Sequence, residues 1–441
     1  MSKSKQRDSR IGIIFLTVFL DLVGFSMIFP LFPAILKWYL PRETADSLLA
    51  TLVNNIISLS PGSNVTDWQV IVLFGGILGA LYSILQFISA PIWGSLSDYF
   101  GRRRIILISL IGTLTGYLIW GFSGSFIFLV TARLVNGLMA GNLSVATAAI
   151  ADITDDKNRS KGMAVIGISF GLGFMLGPAI SGLLVQWNPL QTFPGLENYG
   201  INPFSGAALF AALLSTVNIF WVKTHFTETL QQKHRTPKFL WSSANPLRYF
   251  RNNLSFRVRL LALVYFLYIL SFSGMEFTLT FLAGERLNYG PTENIYIFLY
   301  IGFILMFVQG FFVRRYAAKI GEWQLAIVGL LLCILGLITL SILHSIYFFY
   351  LGLTFLGLGM GLANATLLSL VSLFSKKSEQ GSNLGLIRSS GSLARGFGPI
   401  VAATLYWKLG STLSYGIGAA IMLPSITLLF VSKSLKRDTT C

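Results

Sequence analysis

Long apolar blocks alternate with short polar ones along the whole of this 441-residue chain. Twelve apolar runs fall at about 11–39, 68–92, 104–121, 125–151, 162–187, 204–222, 258–284, 294–313, 323–343, 346–374, 382–407 and 410–432. A bilayer core about 30 Å thick takes roughly 20 apolar residues of helix. Lipid offers no partner to free backbone groups, so runs of this length predict helices and not open strands. The pattern predicts an all-α integral membrane protein with twelve transmembrane helices. The first run follows a basic start, as a signal peptide does. Its length, Asp21 in its middle and the lack of a small-residue cleavage pattern predict a retained first helix instead.

Composition narrows the class. Hydrophobic residues make up 54% and charged residues 11%, with a mean hydropathy of +0.69. Soluble domains carry roughly 25% charged residues, so collagen, disorder, disulfide scaffolds and ordinary cytosolic enzymes are excluded. The net charge of +16 is explained by loop orientation, not by nucleic acid. Of 33 Lys and Arg residues, 27 fall in one alternating set of loops and 4 in the other (Lys37, Arg42, Arg286, Lys408). That bias predicts cytoplasmic termini. The largest polar connection, at about 223–257, is basic. It divides the chain into six-helix halves, 1–222 and 258–441, the layout expected of two repeats related by an axis along the membrane normal. The loop at about 40–67 holds the tripeptide Asn64-Val65-Thr66, a glycosylation site only in a chain that passes through an endoplasmic reticulum.

The familiar motifs of soluble catalysis are missing. There is no GxxxxGK[ST], HExxH or GxSxG, and the three histidines lie in or near loops. Cys333 and Cys441 build neither a predicted disulfide nor a metal cluster. No cofactor, metal or enzymatic activity is expected.

Charged residues inside a bilayer are costly and mark functional sites. Asp21 lies roughly 15 Å from one edge of the first helix, and Arg133 roughly 12 Å from the opposite edge of the fourth. The two are thus at similar depth and able to pair. Burial disfavours a charged carboxylate and a nearby guanidinium favours it, so Asp21 is a candidate proton carrier tuned by Arg133. The alternative is a permanent ion pair joining helices. Glu276, in the seventh run, is either a second proton site, a ligand for a cation or an interfacial residue. Arg395, in the eleventh, binds an anionic group or holds a helix in place.

Small-xxx-small pairs recur at Gly75/Gly79, Gly137/Gly141, Gly173/Gly177 and Gly357/Gly361, and close helix packing is enough to explain each. Gly177-Pro178 and Gly398-Pro399 are more telling. They interrupt the fifth and eleventh helices, at corresponding positions of the two halves.

These residues resemble the major facilitator superfamily, in particular its twelve-helix drug/proton antiporter branch, which includes the tetracycline exporters. The loop after the second run, Gly94-Ser95-Leu96-Ser97-Asp98-Tyr99-Phe100-Gly101-Arg102-Arg103-Arg104, is similar to the superfamily signature GxLSDxxGRRxx. Leu20-Asp21 with Pro30 and Pro33 resembles the branch's first-helix motif. Arg133-xxx-Gly137-xxx-Gly141 leading to Ile150-Ala151-Asp152 resembles its fourth helix. Gly173-xxx-Gly177-Pro178-xx-Ser181-Gly182 resembles GxxxGPxxGG with one serine substitution. The second-half copy of the loop signature is degraded to Gly310 and Arg314-Arg315. The resemblance implies that Asp98 and Arg102, with Arg103 adjacent, form a cytoplasmic charge relay. The sequence reading adds an expectation that the carboxylate sits at a helix N-terminus.

The resulting expectation is a secondary transporter that exchanges a small amphiphilic compound or drug for protons by alternating access. It is expected to be a monomer in the cell membrane, with the lipid bilayer and a small-molecule substrate as its partners. Proton/solute uptake is the rival within transport, and a non-transporting receptor or scaffold on the same fold is the rival outside it.

Overall fold

The computed structural model describes residues 3–44, 47, 51, 67–154, 159–230, 232, 235, 255–313, 315–316, 320–374 and 380–434. Asn64, Cys441 and most of the 223–257 connection lie outside the described residues. Among the described residues the regular structure is helical throughout, with no strand. Eleven segments are long and apolar enough to cross a bilayer. The last, Ser389–Ser434, is divided by Gly410, whose φ of 79° is not helical, so the twelve expected spans are all represented.

Proline and glycine set the interruptions. The first span is a helix α1 (Lys3–Ser26), a 3-10 turn at Phe29–Leu31 and a helix α2 (Phe32–Tyr39). Pro30 and Pro33 sit where the chain leaves α1 and restarts, since proline lacks the N–H that would continue a helix. The second span is α3 (Asp67–Phe100) and the third is α4 (Arg102–Gly121). The fourth span is broken in two, α5 (Phe126–Met139) and α6 (Asn142–Ile153). The fifth is α7 (Arg159–Leu184) and the sixth α8 (Ser205–His225). Then come α9 (Phe256–Leu287), α10 (Pro291–Phe307), which runs into a π-helical turn at Val308–Val313, α11 (Glu322–Ser341) and α12 (Ile346–Leu373). The final stretch, Gln380–Ser434, holds the eleventh and twelfth spans.

The chain gathers into two compact units. One comprises Met1–Val65, Leu81–Pro246 and Tyr289–Leu299; the other comprises Thr66–Ala80, Leu247–Asn288 and Tyr300–Cys441. In the first unit Ile14, Val18, Leu110, Val145, Ile150 and Val222 pack into one buried cluster. Large apolar residues such as Phe220 and Leu213 are exposed on the same helices. Such an outward face suits lipid, which is as apolar as leucine.

The two halves repeat the same devices. α4 and α11 each begin after a glycine with positive φ, Gly101 at 99° and Gly321 at 95°. Each ends with a residue whose amide returns to carbonyls two and four positions back, Phe122 and Ile342. Ser26 Oγ donates to the carbonyl of Gly173 at 2.9 Å, and Ser273 Oγ donates to that of Ala394 at 3.3 Å. Four residues beyond each carbonyl stands a glycine followed by proline. A Cβ on Gly177 would lie 2.0 Å from Ser26 Oγ, and one on Gly398 would lie 1.9 Å from Ser273 Oγ. The first and fifth spans, like the seventh and eleventh, thus touch backbone to backbone.

Candidate functional site

Asp21 stands in α1, three residues before Gly24, and is half-buried. Its Oδ1 accepts the side-chain amide of Asn142 at 3.2 Å. Arg133, in α5, is buried at 5% exposure, with its guanidinium 4.7 Å from the Tyr82 ring centroid and 5.8 Å from that of Phe32. The expected Asp21–Arg133 pair is not formed. Among the described residues Arg133 makes no ion pair, and its buried Nε has no hydrogen-bond acceptor. Among the described residues the guanidinium is placed against the Tyr82 and Phe32 faces, which supply cation–π attraction but no hydrogen-bond acceptor.

The fourth span, expected as one continuous run, is broken between Arg133 and Asn142, the partner of Asp21. Between α5 and α6, Ala140 and Gly141 depart from the helix and release carbonyls from their usual partners. Neighbouring side chains fill the gap. Ser89 Oγ donates to the Gly137 carbonyl at 3.2 Å, Trp93 Nε1 to that of Leu138 at 2.7 Å, and Ser109 Oγ to that of Met139. Gly137 and Gly141 let the second span approach, since a Cβ on them would lie 3.0 Å from the Tyr82 carbonyl oxygen and 2.3 Å from the Trp93 ring. Asn142 then opens α6 with its amide on Asp21. Asn142 and Tyr82 are the site residues that sequence reasoning missed. The Gly141-Asn142 pair in the middle of a span was the signal available for the break.

In the second unit, Arg395 Nη1 lies 3.1 Å from Glu276 Oε2, and the Arg395 guanidinium sits over the Phe272 ring at 5.5 Å. The structure therefore brings together two residues that the sequence had treated separately. Cys333 is a buried free thiol, and among the described residues no cluster fit for a metal ion occurs.

The signature loop is densely bonded. Arg102 Nη1 lies 2.6 Å from Asp98 Oδ1 and 2.6 Å from Ser97 Oγ, and its Nε donates to Asp152 Oδ2 at 3.0 Å. Arg103 donates to the Lys223 carbonyl. Gly94 lies against Ser144, whose Oγ would be 3.3 Å from a Cβ there. The implied Asp98–Arg102 bond is present. One expectation is corrected: Asp98 lies in the last turn of α3, not at a helix N-terminus. The chain is still helical as far as Phe100, and only the positive φ of Gly101 ends it. In the fifth-span motif, Gly173 and Gly177 contact Leu22 and Ser26, and Gly182 is buried one turn past Pro178. The expected interruptions at Gly177-Pro178 and Gly398-Pro399 are not formed, since the helix runs on through both prolines.

The sequence profile of the Major Facilitator Superfamily matches residues 14–399 and again 326–439. The chain belongs to this superfamily. Major facilitator proteins are multi-pass membrane transporters of small molecules, not enzymes. Relatives include "Major facilitator superfamily domain-containing protein 10" of Bos taurus, 33% identical over 95% of this chain and 92% of its own length. A class B tetracycline resistance protein of Escherichia coli is 26% identical over 88% of this chain and 86% of its own length. Among solved structures, the human organic anion transporter MFSD10 (TETRAN) superposes with a TM-score of 0.76 at 31% identity, covering 96% of this chain and 99% of that one. The tetracycline-exporter-like resemblance seen in the motifs is borne out at the level of the superfamily and its exporters.

Proposed function

We propose that this chain is a proton-coupled antiporter that exports amphiphilic organic anions from the cytoplasm across the cell membrane, as a monomer, by alternating access. One observation carries the reading: Asp21 and Arg133 lie in one unit, and neither neutralises the other. Arg133 is a buried cation without an acceptor, and such a group costs several kcal/mol unless an anion completes it. A carboxylate or sulfonate on the solute supplies one, and the Tyr82 and Phe32 faces suit an aromatic body beside it. The human relative named as an organic anion transporter supports the same class. Asp21 is the proton carrier. Its partner is an amide, which donates to a carboxylate or, turned over, accepts from a carboxylic acid. The Oδ1 of Asn142 is buried and unused, as that second arrangement requires. Glu276 and Arg395 are assigned a paired role in the second unit, holding the seventh and eleventh spans together. The Asp98–Arg102–Asp152 relay is assigned a gating role on the cytoplasmic face.

The test uses everted membrane vesicles with a proton gradient, fluorescein as the anionic probe and tetracycline beside it. The reading requires fluorescein to accumulate in vesicles carrying the unmodified chain, and to dissipate the gradient as it does so. Asp21→Asn should abolish gradient-driven accumulation. Uptake that ignores the gradient, or an Asp21→Asn chain that accumulates probe normally, would overturn it.

A further inference from the structure

Three consecutive arginines, Arg102 to Arg104, open α4, and its first turn carries no acid. A helix N-terminus is the positive end of the peptide dipole, so cations there are electrostatically misplaced. The repeated helix α11 carries an acid of its own in that turn, Glu322. The first-half helix takes its acid from far along the chain. Glu228 Oε1 accepts the backbone amide of Arg102 at 2.9 Å, and Oε2 that of Arg103 at 3.3 Å. The approach needs glycine at 101, because a Cβ there would lie 2.4 Å from Glu228 Oε2.

The carboxylate is itself held. The amides of Thr229 and Leu230 both donate to Oε1 at 3.1 Å, and Arg235 Nη2 lies 3.8 Å from Oε2. The contact extends to the relay. Thr229 Oγ1 donates to Asp152 Oδ2 at 3.1 Å, the same oxygen that accepts Arg102 Nε. Phe226 anchors the segment by packing into the apolar cluster of the first unit.

We propose that Glu228 is a positioning residue for the transport cycle. It supplies the anion that the start of α4 lacks, and it fixes the backbone of Arg102 while Asp98, Ser97 and Asp152 fix the guanidinium. The segment leaving the sixth span is thereby strapped onto the signature loop. This geometry does not depend on which solute is carried.

The test compares the unmodified full-length chain in nanodiscs with Glu228→Ala and Glu228→Gln. Hydrogen exchange at the Arg102 and Arg103 amides should rise roughly tenfold or more in the alanine variant, while exchange within α8 stays unchanged. In vesicles the maximal rate of fluorescein export should fall about fivefold with KM within about twofold, as expected when positioning and not solute binding is lost. Glu228→Gln keeps an acceptor oxygen and should fall between. Unchanged amide exchange, or an unchanged maximal rate, overturns the proposal. If the alanine variant cannot be recovered folded, the same two readouts on the glutamine variant decide. If the unmodified chain moves no fluorescein, the anion reading fails, and the amide exchange still decides this one.

Discussion

Asn142, the first residue of α6, donates its side-chain amide to Asp21 Oδ1 on α1. The donor sits in the second piece of a broken span, and the acceptor in the first span. Replacing Asn142 by alanine removes the hydrogen bond that Asp21 Oδ1 accepts. A hydrogen bond to a charged group contributes about 1.5–3 kcal/mol, so the carboxylate form of Asp21 should be disfavoured by that order. The pH at which gradient-driven export is half-maximal should therefore move upward in Asn142→Ala. A profile superposable on that of the unmodified chain would show that this bond plays no part in coupling.

Arg133 tests the substrate class. Arg133→Gln should raise KM for fluorescein at least tenfold, because a charge-assisted contact of about 1.5–3 kcal/mol is lost. Arg133→Lys should restore little of it, since an ammonium offers no planar face to Tyr82 and no paired donors to a carboxylate. Tetracycline and fluorescein responding alike to both substitutions would argue that Arg133 acts on the fold and not on the anion.

Exchange of one monoanion outward for one proton inward moves two charges in the same direction. Export should then be driven by membrane potential as well as by pH, at about 2.3 kcal/mol per charge per 100 mV. Clamping the potential with valinomycin and potassium, at a fixed pH difference, should slow accumulation of the anionic probe. Equal rates at 0 and at about 100 mV would exclude one-for-one exchange.

The glycines divide into two groups with opposite predicted outcomes. Gly101→Ala places a side chain at φ 99°, ψ 152°, a region essentially reserved for glycine, at about 1–3 kcal/mol. It also pushes Glu228 away. Gly398→Ala meets Ser273 Oγ, the Leu270 carbonyl oxygen at 2.8 Å and the Gly274 amide at 3.0 Å, so adding Ser273→Ala should not rescue it. Gly171→Ala meets nothing within 4 Å and should be neutral or mildly stabilising. Thermal unfolding in detergent ranks the three. Gly171→Ala destabilising as strongly as the others would contradict the packing described.

Much of the fold was legible because lipid permits few solutions. Runs of twenty apolar residues become helices, and the breaks at Pro30–Pro33 and Gly410 follow from proline and glycine chemistry. The Asp98–Arg102 contact was legible through its motif spacing. What escaped was set by tertiary packing. Gly141-Asn142 was the one local mark of the break, and it decides nothing by itself, since the freed carbonyls are satisfied by Ser89, Trp93 and Ser109 from other spans. The Asp21–Arg133 pair was expected on depth alone, and depth says nothing about which way two side chains point. Glu228 was hidden in a connection that reads as topogenic charge. Gly321 holds at the start of α11 the positive φ that Gly101 holds at the start of α4, although the second-half loop lacks the acid of the signature.

The broken fourth span has a mechanical consequence. A continuous helix transmits rotation rigidly from end to end, whereas two pieces joined through Ala140 and Gly141 turn on a swivel. Arg133 rides on α5 and Asn142, the partner of Asp21, on α6. Ser89 and Trp93 from the second span and Ser109 from the third hold the last carbonyls of α5, so the end of the piece that carries Arg133 is pinned to its neighbours. Freeing that pin with Ser89→Ala should leave both charges in place and let the α5 end shift against the second span, read as a leak of solute that no longer follows the proton gradient.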